Sequence, residues 1–229
     1  MAVMGFNQAS YDAFLVGNGV VGLLEDPITL RSGGLSYWYA NFRTLLKDYR
    51  IAEEAARFVY DFTEHHSLEP SNFFAVPEGP REFASGCNRI LSSNAPLVSA
   101  SSLRAGYKTH GSPLDRYSVG PVHENMRPVL IEDVTTTANS STEYVMLLQE
   151  LGISPLALVS MLNRQQRRND GRSAKEFVEG CYHVPYFHMA AAETVLPAAV
   201  EILKPKSHVL EGLRRELADG KSYSAEIKI

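Results

Sequence analysis

Cysteine is nearly absent: the 229 residues contain two, Cys87 and Cys181, too few and too far apart for a disulfide framework or a thiolate metal set. Nor can a base partner be named for Cys87, so it makes a poor candidate nucleophile. The seven histidines form no zinc pattern. His65 and His66 fall at a helix end, where a cation suits the dipole, and His183 and His188 stand five apart and off a common helical face. No run approaches the roughly 18 consecutive apolar residues of a membrane span. The opening MAVMGFNQAS has neither the basic nor the apolar region of a secretory signal, so the expectation is a cytoplasmic protein with no membrane partner. Positive charge is not in excess either. With 22 Lys and Arg against 26 Asp and Glu, the net charge of -4 argues against nucleic acid as a general partner. Internal repeats and low-complexity linkers are also missing.

What is present is enough apolar composition, 45%, for a full core in one α/β domain with an added lobe. Residues 1–50 are read as an N-terminal cap or hood. In it an apolar helical stretch (Tyr11, Phe14, Leu15) runs to Leu24, followed by Ile28 to Leu30 and an aromatic strand over 35–42. Residues 51–229 are read as the core. It begins with a helix bearing Ala55, Phe58, Val59 and Phe62 on one face. Then come a strand over 73–76, a PEGP turn, a helix over 81–91 and a strand over 97–100. The polar stretch 101–127, with Gly106, Gly111, Pro113, Gly120 and Pro121, is too long for a mere connector. A strand over 156–162, a basic RQQRRNDGR segment and a helical stretch over 188–203 containing Pro197 follow. The alternation predicts an α/β fold: a mainly parallel sheet with helices on both faces.

Residues 129–140, VLIEDVTTTANS, carry the most chemistry. An apolar strand delivers two carboxylates, Glu132 and Asp133, and then a run of hydroxyl side chains to a helix start. Ser140 and Glu143 have the spacing of a capping box, and the helical pattern ends at Gly152. Free backbone N–H groups and hydroxyls at a helix's positive end suit a phosphate, and the acids suit sugar hydroxyls. Such a strand end is also where parallel sheets bind ligands. A phosphorylated sugar is the expected ligand.

This segment resembles the ribose-phosphate signature of type I phosphoribosyltransferases, with Ala138 where glycine is usual. Because alanine tolerates positive φ poorly, a slightly reshaped loop is expected. Four further stretches are similar to orotate phosphoribosyltransferases in particular. RAGYKTHG, residues 104–111, resembles their mobile catalytic loop, keeping Arg104, Lys108, His110 and Gly111, with Ala105 where a second Lys is common. TLRSGGLSYWYAN, residues 29–41, resembles an N-terminal segment in which Arg31 takes a Lys position and Tyr39 and Ala40 fall where the orotate ring is contacted. AVPEGPREFASG, residues 75–86, is similar to the pyrophosphate loop, with Glu78 and Gly79 at its turn and Arg81 close behind. LNRQQ, residues 162–166, matches a D-R-Q sequence whose arginine binds orotate; here Arg164 is the candidate and Asn163 replaces the Asp.

The resemblance implies a type I phosphoribosyltransferase-like fold with a small N-terminal hood and a mobile catalytic loop over 101–120. It implies transfer of the phosphoribosyl group of 5-phosphoribosyl 1-pyrophosphate (PRPP) to orotate, giving orotidine 5'-phosphate in pyrimidine biosynthesis. Glu132, Asp133, Lys108 and His110 take the catalytic roles. PRPP is met by these together with Arg31, Arg104, Thr135, Thr136, Thr137, Ala138, Asn139 and Ser140, and orotate by Tyr39, Ala40, Thr136 and Arg164. Mg2+ is the implied cofactor, with no direct protein ligand assigned, and the loop's reach into a neighbouring subunit implies a homodimer. Transfer to another nucleobase, or a non-catalytic PRPP sensor of the same fold, are the alternatives.

Overall fold

The computed structural model describes residues 5–29, 35–95, 97–110, 116–218 and 222–229. Helix α1 (Gln8–Gly17) is capped by the Asn7 side chain and leads into an antiparallel pair, β1 (Val21–Thr29) and β2 (Leu35–Ala40). The helical pattern expected to reach Leu24 stops at Gly17. The positive φ of Gly19 turns the chain, and the apolar residues beyond it go to the strand. A 3-10 turn (Phe42–Lys47) precedes α2 (Tyr49–His65), which buries Ala55, Val59 and Phe62 of the face read from the sequence together with Ala52 and Ala56, while Phe58 is half-buried.

The central sheet is parallel, with strand order β3 (Asn72–Ala75), β6 (Pro128–Thr135), β7 (Ala157–Asn163), β8 (Tyr186–His188). Strand periodicity divides its residues between two cores. Phe73, Ala75, Val129, Ile131, Val159 and Met161 join α1, α2 and two further helices, α3 (Arg81–Ser92) and α6 (Ala192–Leu203). Phe74, Leu130, Leu158 and Tyr186 join α4 (Asn139–Glu150) and α5 (Ala174–Tyr182). Helices α2 and α3 cross closely at Gly86, where a methyl would lie 2.6 Å from the Ala56 Cβ. The edge strand β3 is covered by Asn88, whose amide takes the Phe73 N–H and donates to the Phe73 carbonyl.

Two short strands, β4 (Ser102–Leu103) and β5 (Ser118–Val119), pair antiparallel and make the base of an arm. The strand expected over 97–100 is not formed; the ladder begins at Ser102, after the Ser99 and Ser101 hydroxyls have bonded to each other. Helices α5 and α7 (Ser207–Leu217) had no counterpart in the sequence reading. Helix α7 buries Val209, Gly212, Leu213 and Leu217 and packs on β1 and β2.

Candidate active site

The carboxyl ends of β6 and β7 bring the expected loop and Arg164 together. The Arg164 N–H donates to the Thr135 carbonyl at 2.8 Å, so the residue after β7 sits beside the residue that opens the Thr136 to Ser140 turn. Helix α4 starts two residues earlier than the capping-box spacing suggests. Its N-cap is Ala138, which makes no side-chain cap bond, and Ser140 is already helical. Ala138 adopts φ 60°, the left-handed conformation that glycine takes freely. Ala138 is thus held in a conformation that alanine tolerates poorly. Thr142 supplies a bond back to the Ala138 carbonyl at 3.0 Å.

The adjacent acids part, as successive strand residues do. Glu132 is 7% exposed and lies under the first turn of α4, accepting from the Ser141 hydroxyl at one oxygen and from Ser140 at 3.4 Å at the other. Burial raises its carboxyl to about 7; the Ser141 bond opposes this and the Asp133 charge adds to it. Asp133 is half-buried and faces the Gly79 turn so closely that a methyl on Gly79 would lie 2.1 Å from its Oδ2. Its carboxyl is also raised, by burial first, while the Val134 N–H and the Arg43 charge pull the other way. The sequence reading placed both acids against the sugar; in the structure Asp133 stands beside the Gly79 turn, and Glu132 is tied to the serines of α4. Glu78 turns outward, exposed, with Arg81 at 3.7 Å.

The loop is latched from behind by Arg168, a residue the sequence reading left in a basic segment without a role. Its Nη1 donates to the Thr137 carbonyl and to Asn139 Oδ1, the latter at 2.7 Å, and its guanidinium lies 3.3 Å from the Phe177 ring centroid. Thr136 and Thr137 remain half-buried, and Asn139 and Ser140 exposed, at the helix start. Thr135 is buried, and its hydroxyl has no partner among the described residues.

Arg164 is 3% exposed. Its guanidinium stacks 3.9 Å from the Trp38 ring, and Nη2 donates to Ser36 Oγ at 3.0 Å. Tyr39 projects from β2 on the exposed side, while Ala40 is buried. On the arm, Arg104 Nε donates to the Ser118 carbonyl at 3.0 Å, and the Arg104 carbonyl accepts from the Tyr144 hydroxyl of α4 at 3.2 Å. Arg104 is thereby tied to the arm's base. The Lys108 N–H bonds the Arg116 carbonyl at 3.0 Å, with Lys108 half-buried and His110 exposed. Arg31 and Gly111 lie outside the described residues. Cys87 is buried, and burial pushes its thiol well above the ordinary range, in keeping with a structural role.

The parallel α/β sheet, with a strand, acid pair, hydroxyl loop and helix at its carboxyl edge, has the fold of solved phosphoribosyltransferases. The chain is similar to orotate phosphoribosyltransferases in sequence and in fold. The protein of that name from Bradyrhizobium diazoefficiens is 27% identical over 146 residues, 62% of this chain and 76% of that one. The crystal structure of the Francisella tularensis orotate phosphoribosyltransferase superposes with a TM-score of 0.72 at 16% identity, covering 94% of this chain and 100% of that one. The Mycobacterium tuberculosis orotate phosphoribosyltransferase in complex with PRPP gives a TM-score of 0.56 at 18% identity over 81% of this chain and 96% of that one. No family model matches the chain.

Proposed function

We propose that the protein is an orotate phosphoribosyltransferase that transfers the 5-phosphoribosyl group of PRPP to orotate, with release of pyrophosphate. The observation that carries this is the junction of two matched segments: the hydroxyl loop after β6 and Arg164 after β7 share a backbone bond, so a sugar-phosphate site and an arginine suited to a carboxylated ring adjoin. In this reading the loop amides and hydroxyls of residues 136 to 140 hold the 5'-phosphate at the α4 N-terminus. Asp133 meets the ribose hydroxyls and favours the positive charge that develops on the ring as the C–O bond to pyrophosphate breaks. Glu132 fixes the first turn of α4 behind the phosphate. The orotate ring nitrogen attacks the anomeric carbon, Tyr39 flanks the ring and Arg164 binds its carboxylate.

Mg2+ fits as a substrate-borne ion. Among the described residues no cluster of three side chains could ligate a metal, and Asp133 is the carboxylate at hand, so pyrophosphate and ribose oxygens would supply the remaining ligands. When bound, it offsets charge on the leaving group. Lys108 and His110, on the arm, would close over the pyrophosphate and exclude water. Exposed Tyr107 and Val119 on the arm and Leu97 beside it support a second subunit as the arm's partner, in a cytoplasmic homodimer. Among the described residues no helix is long and apolar enough to cross a membrane.

Incubation with PRPP, Mg2+ and a panel of bases tests this directly. Orotate should be consumed in preference to adenine, guanine, hypoxanthine and uracil, and Arg164→Ala should raise the KM for orotate far more than that for PRPP. Turnover of another base, or binding of PRPP with no turnover of any base, would replace the proposal.

A further inference from the structure

The arginine at the base site does not hold its own orientation. Its guanidinium is sandwiched against Trp38 and reaches Glu216 of α7 through one hydroxyl: Ser36 Oγ accepts from Arg164 Nη2 at 3.0 Å and donates to Glu216 Oε1 at 2.8 Å. The same carboxylate oxygen accepts from the Tyr223 hydroxyl at 2.7 Å, and Trp38 Nε1 donates to that hydroxyl at 3.5 Å. The other oxygen of Glu216 takes the Tyr37 N–H at 2.8 Å. The helix is pressed to the strand one turn earlier, where a methyl on Gly212 would lie within 2.4 Å of the Tyr37 ring. Tyr223 is fixed in turn by the backbone bridge to Gln166, next to the base-site strand end.

A guanidinium this deeply buried needs a counter-charge and a fixed set of acceptors. Glu216 supplies the charge, and Ser36, Trp38 and Tyr223 transmit the geometry. The Arg164 Nε is buried with no partner among the described residues, so the orientation of the guanidinium rests on its Trp38 and Ser36 contacts. We propose that Glu216 and Tyr223 of the C-terminal segment are positioning residues for the base site, setting the Arg164 guanidinium against Trp38 so that its remaining donors meet the carboxylate of the base. This rests on the orotate reading above, and it makes the last helix and the chain beyond it part of base recognition.

The variants are Glu216→Ala, Glu216→Gln and Tyr223→Phe, each compared with wild type for the KM of orotate, the KM of PRPP and kcat. Trp38 is the chain's single tryptophan, so its emission reports the network without any ligand. Glu216→Ala should raise the orotate KM by about ten-fold or more, as expected for loss of a charge-assisted hydrogen bond, and leave the PRPP KM within about two-fold. Glu216→Gln, which keeps an oxygen acceptor, should fall between, and Tyr223→Phe should shift Trp38 emission in the ligand-free protein. If Glu216→Ala does not fold, Glu216→Gln and Tyr223→Phe carry the test. Equal change in both KM values, or none, overturns the proposal. A lower orotate KM also overturns it, since the segment would then obstruct the arginine. If the wild type consumes no orotate, the functional reading falls on its own, and ligand-free Trp38 emission unchanged in all three variants then overturns the positioning role.

Discussion

Replacing Glu132 by Gln should make the protein less sensitive to alkaline pH. The carboxyl is buried and titrates at about 7 in the folded protein against an ordinary value of 4.5. Between these values the folded protein keeps a proton that the unfolded chain has released, so stability falls as pH rises, by about 1.4 kcal/mol for each pH unit. Fully developed, above pH 7, the loss amounts to about 3 kcal/mol, an upper figure because water entering beside the charged form would reduce it. Below the ordinary value the contribution is intact. The side-chain amide of the Glu132→Gln variant cannot ionise, yet its carbonyl oxygen still accepts from the Ser141 hydroxyl, so the variant keeps the bond and loses the titration. Asp12, raised by burial to about 6, adds to the same decline in wild type and variant alike. The comparison therefore isolates Glu132 together with its coupling to Asp133, whose carboxyl is shifted the same way. Urea unfolding at pH 5, 6, 7 and 8 should give wild-type and variant curves that diverge by about 2–3 kcal/mol in the variant's favour toward pH 8. Parallel curves across that range would refute the assignment of a buried, proton-retaining Glu132.

Three other outcomes follow from the site. Gly79→Ala would force a methyl against the Asp133 carboxylate, so activity should collapse, with a stability loss of about 1–3 kcal/mol by thermal melting; an active, equally stable variant would mean the turn is not packed on the acid. Arg168→Ala removes the bonds to the Thr137 carbonyl and Asn139 and the contact with Phe177, and should raise the KM for PRPP about ten-fold with little change for orotate, as measured by initial rates. Lys108→Ala should lower kcat by orders of magnitude while the melting temperature stays unchanged, since its side chain lies on the arm outside both cores; near-normal turnover would remove the arm from the mechanism.

The sheet was legible from the chain because its strands are short apolar runs bounded by polar turns, and the turn before α4 because a run of Thr, Asn and Ser separates an apolar strand from a helical pattern. The boundaries that failed did so for local reasons. Gly19, with its positive φ, ended a helix that apolar spacing alone would continue, and Ala138 took the cap that a serine pattern assigned to Ser140. The divergence of Glu132 and Asp133 follows from strand periodicity and could have been anticipated by extending β6 through the acid pair. Arg168 and Glu216 could not. Each acts on residues dozens of positions away, and an arginine in a basic run or a glutamate on an amphipathic helix has the pattern of a solvated face until the fold supplies its partner.

Holding Ala138 at φ 60° costs about 1 kcal/mol relative to glycine, and burying its methyl with Phe74, Val145 and Leu148 returns a similar amount. The turn before α4 is therefore floored by the hydrophobic interior and does not form an independent flap. Its amides should exchange with solvent deuterium only when the whole α4 layer opens, and a ligand gripping that turn would slow exchange far along the helix and into β6. On the proposed function, occupancy of the sugar-phosphate site and cooperativity of folding are, in this chain, one measurable property.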